Sequence, residues 1–266
     1  MKTKLYIAIA VFFMSLGVNA QIDRSQQPKP GPAPKIALEK PQEFELKNGL
    51  KVMVVENHKL PRVSFNLAFD REPIVEGEKA GVTSLLGAML ANGTTSISKD
   101  DFNEEIDFLG ARLNISFGGG SASSLTKYSD RILELLADAA MSPLLTEDEF
   151  QKEKDKLIEG IKSDAKSVDA IAGRVGGALA YGTQHPYGEF LSEETVNEVT
   201  LADVNAYYQK YFNPNNTYLV IIGDVDTKSI VKHVKKQFKN WKKAADLTTE
   251  IVEANENPKA LEINFI

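Results

Sequence analysis

Alternation of apolar and polar residues predicts a β-strand at Arg62–Asp70. With a period of two, Val63, Phe65, Leu67 and Phe69 all lie on one side of an extended chain. Five more strands are predicted: two in Phe44–Asn57 on either side of Asn48-Gly49, two in Ala111–Thr126 around a glycine turn, and one in Asn215–Val225. An Asn-Gly pair between two β-prone runs is the strongest short-range signal for a hairpin. The pattern therefore predicts a sheet that contains two hairpins.

Between these strands, apolar residues recur at helical spacing. Val82, Leu85, Leu86, Met89 and Leu90 fall on one face of a helix within the block 80–94. Further helices are predicted at 98–110, 128–141, 146–164 (opened by a capping box from Thr146 to Glu149), 166–181, 200–211 and 226–243. Because strands precede, interleave with and follow the helices, we expect one α+β domain with a mostly antiparallel sheet covered by helices.

The first twenty residues have the features of a secretory signal peptide. Lys2 and Lys4 precede an apolar stretch, Leu5–Leu16, and Val18–Ala20 precedes a predicted cleavage site before Gln21. We therefore expect residues 1–20 to be removed and the mature chain to be periplasmic or secreted. No membrane span is expected in that mature chain.

The rest of the sequence divides into three parts. Residues 21–41 are rich in proline and are predicted to form a flexible tether. Residues 42–246 contain the predicted strands and helices and are expected to form the folded domain. Residues 247–266 are predicted to be a polar linker followed by "ALEINFI", the start of a second domain that this chain lacks.

Composition excludes several classes of function. The chain has 31 Lys and Arg against 37 Asp and Glu, and loss of Lys2 and Lys4 with the signal peptide leaves a net charge of −8. A chain this acidic is a poor candidate for binding nucleic acid or an anionic membrane surface. The sequence has no cysteine, which excludes disulfides and thiol catalysis.

Several sequence blocks occur in an order that resembles a known family. The blocks are "LKNGLKVMVVEN", "AGVTSLLGAMLANGTTS", "FLGARLNISFGG", "EFQKEKDKLIEGIKSD", "AYGTQHPYG" and "FNPNNTYLVIIGDVD". Together they resemble the N-terminal half of zinc peptidases of the insulinase and mitochondrial-processing-peptidase type. The resemblance implies a metallopeptidase half-shell domain of the processing-peptidase type.

Active members of that family carry an inverted zinc motif, His-x-x-Glu-His, on the helix that matches block 80–94, and a further glutamate ligand downstream. Aligned on the flanking residues, the two histidines fall on Ser84 and Ala88, and the catalytic glutamate falls on Gly87. The downstream ligand falls on Gly160, with Glu159 one position away. We therefore predict no catalytic residue, no metal ligand and no cofactor, and we interpret Glu159 as a surface residue because helix neighbours differ by about 100° in direction.

The three histidines, His58, His185 and His233, form no pair at a spacing of four. His58 and His233 are expected to be solvated, and His185 is expected to have a structural role in a turn. None is predicted to bind a metal.

The resemblance also implies a peptide-binding edge. In the family, the strand that matches Leu113–Phe117 is a sheet edge that pairs with extended substrate, and main-chain pairing does not require the metal. The candidate substrate-binding residues are Leu113, Asn114, Ile115, Ser116 and Phe117. An edge that is capped and unused is the alternative.

The combined expectation is a non-catalytic, exported peptidase homologue. We expect it to act as a structural or peptide-binding half-shell whose partner is a zinc-bearing homologous subunit or a second homologous domain. Extended peptides are a further candidate partner, and nucleic acid is not. The alternatives are an active zinc metalloendopeptidase with displaced ligands and a peptide-binding scaffold unrelated to proteolysis.

Overall fold

A computed structural model describes residues 31–32, 40–90, 92–245, 247 and 253 of the chain. The chain divides into two compact units, Met1–Leu38 and Glu39–Ile266, and every element described below belongs to the second. The predicted signal peptide, nearly all of the tether and most of 247–266, including "ALEINFI", lie outside the described residues. Within the described part of the chain, no helix combines the length and apolar character needed to cross a membrane.

Six strands form one sheet in the order β1-β2-β6-β3-β5-β4. The strands are β1 (Gln42–Glu45), β2 (Lys51–Glu56), β3 (Arg62–Phe69), β4 (Arg112–Ser116), β5 (Gly119–Leu125) and β6 (Thr217–Gly223). All neighbouring strands pair antiparallel except β2 and β6, which are parallel. The mostly antiparallel sheet, both hairpins and all six predicted strands are therefore confirmed.

The described helices are α1 (Val82–Leu90), α2 (Lys99–Phe108), α3 (Ser129–Met141), α4 (Glu147–Asp164), α5 (Val168–Tyr181), α6 (Glu193–Glu198), α7 (Leu201–Tyr211) and α8 (Thr227–Phe238). Each predicted helix is present, and the short α6 was not predicted. The capping box predicted at Thr146 is wrong: Thr146 is the N-cap of α4, but its side chain accepts no hydrogen bond there. Glu149 instead pairs with the ammonium groups of Lys99 and Lys152. Capping boxes form at the starts of α6 and α7.

The two faces of the sheet differ in burial. Val52, Val63, Phe65, Leu67 and Leu219 point to one face and are almost completely buried. Helix α3 covers that face at β4 and β5, and α8 covers it at β2. Residues that alternate with the buried ones are partly or fully exposed on the other face: Met53, Val55, Ser64, Asn66, Val220 and Ile222. The described residues thus form a sheet with helices on one face.

Candidate functional site

Helix α1 packs by one face only. Its buried residues are Val82, Leu85, Leu86, Met89 and Leu90, as predicted. The opposite side carries the three residues aligned with the zinc motif: Ser84 and Ala88 are exposed, and Gly87 is partly buried. The helix packs against α4 and α7, and it approaches β4 at the edge of the sheet.

Gly87 marks the closest approach between α1 and the edge strand. A Cβ atom at this position would lie 3.3 Å from the backbone nitrogen of Phe117 and 3.9 Å from the Cα atom of Ser116. The first distance is tighter than normal packing, so the missing side chain lets the helix lie against the turn that follows β4. The outward face of α1 therefore contributes close backbone packing at this point.

Two carboxylates that sequence reasoning missed hold the start of α1. The Glu76 carboxylate accepts hydrogen bonds from the backbone N–H of Gly81 at 2.8 Å and of Thr83 at 3.3 Å, and from the Thr83 hydroxyl. Glu189 in turn accepts from the backbone N–H of Glu76 at 2.9 Å and of Gly77 at 2.6 Å. A carboxylate at a helix N-terminus satisfies free N–H groups and complements the helix dipole. Glu76 lies too far before the helix to match a capping pattern in the sequence.

The downstream ligand position also supplies no metal ligand. Gly160 lies on α4, and a Cβ atom there would meet nothing within 4 Å. Glu159 points elsewhere: its side chain is 73% exposed and forms an ion pair with Lys162 at 3.0 Å. The interpretation of Glu159 as a surface residue is confirmed.

The donor set at these positions does not fit a zinc ion. Zinc is held by Cys, His, Asp or Glu side chains, and Gly87, Ala88 and Gly160 have no side-chain donor, while Ser84 offers only a hydroxyl. Among the described residues, no group of three or more His, Asp or Glu side chains is placed to hold a metal ion.

The histidines lie in separate settings. The Nδ1 atom of His58 lies 2.7 Å from an Asp224 carboxylate oxygen, and this hydrogen bond raises the pKa of His58. His233 pairs with Asp130. His185 is buried, its ring stacks on Tyr181 and its Nδ1 atom accepts a hydrogen bond from the backbone N–H of Tyr187 at 3.1 Å, which confirms a structural role in the turn. His58 and His233 are solvent-accessible, but both have carboxylate partners, which was not predicted.

Strand β4 is an edge of the sheet, as the resemblance implied. Ser116 and Gly119 pair across the two-residue turn at the end of the hairpin. Because hydrogen-bonded and non-bonded pairs alternate along an antiparallel ladder, Leu113 and Ile115 direct their main-chain groups away from β5. Asn114 and Ser116 expose their side chains, whereas Ile115 is buried.

Phe117, the last candidate residue of this edge, is already in contact with the side chain of Arg71. The guanidinium of Arg71 donates a hydrogen bond to the carbonyl of Phe117 and lies 3.6 Å from the centroid of the Phe117 ring. The rings of Phe69 and Tyr211 lie within 6 Å of the same group. Burial lowers the pKa of Arg71 to about 10, and its Nη1 atom is buried without a hydrogen-bond partner in the described part of the chain. The edge is therefore engaged at Phe117.

Two family models match most of this unit. Residues 51–174 match "Insulinase (Peptidase family M16)", and residues 198–264 match "Peptidase M16 inactive domain". An uncharacterized zinc protease of Rickettsia felis is 26% identical over 205 residues, which is 74% of this chain and 50% of that protein. The chain spans about half the length of the first curated relatives that it matches.

Solved structures share the fold. The M16 inactive domain from Pseudomonas fluorescens gives a TM-score of 0.72 at 23% identity, over 84% of this chain and 55% of that chain. The periplasmic protease PqqL from Escherichia coli gives a TM-score of 0.67 at 20% identity, over 82% of this chain and 26% of that one.

Proposed function

The chain is an insulinase/pitrilysin-like member of peptidase family M16, and on that premise we propose that it is a non-catalytic homologue that acts as a structural or peptide-binding half-shell. The observation that carries the proposal is the chemistry at four aligned positions, Ser84, Gly87, Ala88 and Gly160, where α1 and α4 pack as a scaffold without supplying ligands. A zinc-bound water needs three protein ligands and a base.

Two observations support a homologous partner half. The chain spans about a quarter of the PqqL chain. A crystal structure of the first half of PqqL alone has also been solved. The chain also exposes apolar surface on α5, which has no buried residue. Val168, Ile171, Val175 and Leu179 of this helix are 80%, 40%, 50% and 37% exposed.

The exposed residues of α5 recur every three or four positions and therefore form one stripe. Of the large apolar residues that are exposed in the described part of the chain, seven of eleven lie between Val168 and Phe190. An exposed apolar stripe such as that of α5 is typical of a protein interface. We propose that a zinc-bearing homologous subunit or domain covers it in the periplasm, where the PqqL relative is found.

Peptide binding along β4 is the second element of the proposal. The main-chain groups of Leu113 and Ile115 are directed outward and offer pairing to an extended peptide. Because Arg71 already holds the Phe117 carbonyl, we propose that pairing is confined to the part of the edge before that residue.

The test is the zinc content of the purified chain. We expect far less than one zinc per chain by elemental analysis after gel filtration in metal-free buffer, because the aligned positions lack donors. A content of about one tightly held zinc per chain would favour a peptidase with displaced ligands and overturn the proposal.

A further inference from the structure

A cavity of about 420 Å³ lies between α4, α5 and the segment 189–191. Leu157, Gly160, Ile161 and Asp164 form its α4 wall, and their spacing of three and four places them on one helix face. Ala170 and Arg174, four residues apart on α5, form the second wall, and the ring of Phe190 belongs to the third.

Small residues on both helices leave this space open. A Cβ atom at Gly160 would meet nothing within 4 Å, and Ala170 adds only a methyl group from the α5 side. The cavity opens to solvent, since Gly160 and Asp164 are exposed and Arg174 is partly buried. Its volume is within the range of about 300–1,000 Å³ that is typical of small-ligand pockets.

Two opposite charges line the cavity without pairing. Within the described residues, neither the Arg174 guanidinium nor the Asp164 carboxylate has an ion-pair or hydrogen-bond partner; Arg174 only stacks 5.8 Å from the centroid of the Phe190 ring. The third charged residue of the lining, Glu189, already accepts hydrogen bonds from the backbone N–H groups of Glu76 and Gly77. Leu157, Ile161 and Leu191 supply apolar surface beside the two charges.

We propose that this cavity binds a short apolar peptide as a zwitterion. The C-terminal carboxylate binds Arg174 in a charge-assisted hydrogen bond, the N-terminal ammonium binds Asp164, and apolar side chains contact Leu157 and Ile161. A peptide with a blocked terminus lacks one of the two charged groups, and a simple anion lacks the ammonium group and the apolar side chains. The two charges therefore select the free ends of a peptide, and the apolar wall selects its side chains.

The proposal is independent of the β4 edge, although the cavity shares Gly160 with the four aligned positions and Phe190 with the exposed apolar residues proposed to meet the partner half. Neither the outward residues of α1 nor any residue of β4 lines the cavity. The isolated chain is therefore sufficient for the test, and a failure here leaves the half-shell proposal intact.

The experiment is calorimetric titration of the full chain with the dipeptide Leu-Leu. We expect saturable binding at one site, weakened at least about tenfold by N-acetylation and by C-terminal amidation, because each removes a charge-assisted contact. Absence of saturable Leu-Leu binding, or equal binding of the doubly blocked peptide, would contradict the proposal.

Variants locate the site. Gly160→Phe fills the cavity and should abolish binding, whereas Gly173→Phe, on α5 outside the lining and equally open, should bind as the parent does. Arg174→Gln should erase the preference for a free carboxylate, and Asp164→Asn the preference for a free ammonium. Unchanged binding and preference in both charge variants would place the peptide elsewhere, even if Gly160→Phe failed to fold.

Discussion

At Gly87 the absence of a side chain affects packing as well as chemistry. Glycine lets α1 lie against the backbone nitrogen of Phe117, so a larger residue there must displace the turn by a few tenths of an ångström. Gly160, by contrast, faces open space. The four aligned positions are thus unequal: three of them accept new side chains freely, and one is constrained.

This inequality gives a prediction for restoring the zinc site. The triple variant Ser84→His, Ala88→His and Gly160→Glu supplies the three ligands, and we expect it to bind zinc measurably while melting close to the parent. Adding Gly87→Glu supplies the base and should lower the melting temperature, because of the 3.3 Å contact. Calorimetry and zinc titration measure both effects.

Gly173→Glu, at an open helix position, is the control for the charge and for the loss of glycine. If the triple variant folds but binds zinc no better than the parent, the alignment of the motif on these residues is wrong.

His58 couples stability to pH. Its hydrogen bond to Asp224 raises its pKa above the unfolded value of about 6.5. The stabilisation is therefore fully present below the unfolded pKa and is lost as pH rises through the folded pKa. We expect His58→Gln to lower the melting temperature more at pH 5.5 than at pH 8.5, as measured by calorimetry.

The double variant His58→Gln/Asp224→Asn is the control for this pair. Relative to Asp224→Asn alone, the histidine substitution should show a smaller difference between the two pH values; what remains comes from Glu56, whose carboxylate lies 3.5 Å from Nε2 of His58 and also raises its pKa. A pH-dependent difference that is undiminished without the Asp224 carboxylate would contradict the assignment to this pair.

At the scale of elements, Arg71 fastens the β4–β5 hairpin to the chain that follows β3. Its guanidinium contributes a hydrogen bond to Phe117 and stacks on that ring, but burial without a counter-ion among the described residues offsets the gain. The net effect on global stability is therefore small, while the local effect on the hairpin is not.

Hydrogen exchange should separate these two effects. We expect Arg71→Met to raise the exchange rate of residues 112–118 at least about threefold, since the hairpin loses its attachment, with little change in global melting. Arg112→Met, which removes an exposed arginine on β4 itself, should leave the exchange unchanged. Equal exchange in both variants would show that Arg71 does not hold the hairpin.

At the scale of the whole molecule, the exposed stripe of α5 and the second face of the sheet leave apolar side chains without a cover in the described residues. The chain also matches only about half of its first curated relatives. Both features are consistent with the proposed association with another half-shell.

Light scattering over a dilution series tests that association. Mixed with a homologous half that has an intact His-x-x-Glu-His helix, the chain should form a heterodimer, and Val175→Asp should weaken it at least about tenfold, because a charge replaces a contact on the apolar stripe. Phe108→Asp, at an exposed apolar position on α2, is the matched control. A chain that stays monomeric with every such homologue would leave only a scaffold function.

Local pattern was sufficient for the elements of this fold. Period-two alternation predicted β3, turn signals predicted the two hairpins, and helical spacing predicted helices such as α1, because each of these elements buries one face and burial imposes its period on the sequence. Of the strands and α-helices in the described residues, only α6 was not predicted. The lack of metal ligands at the positions aligned with the zinc motif could also be predicted from the sequence, because it depends only on residue type. At six residues, α6 is too short to show a period.

Only the tertiary structure decided the contacts between distant segments. The parallel pairing of β2 with β6, the bonds from Glu189 to the backbone of Glu76 and Gly77, and the Arg71 contact with Phe117 join residues far apart in sequence. The same is true of Glu149, which Lys99 draws away from the predicted capping box. The α4–α5 cavity likewise exists because Gly160 and Ala170 lie on facing elements. A sequence pattern indicates which face of an element a residue occupies, but not which residues lie opposite that face.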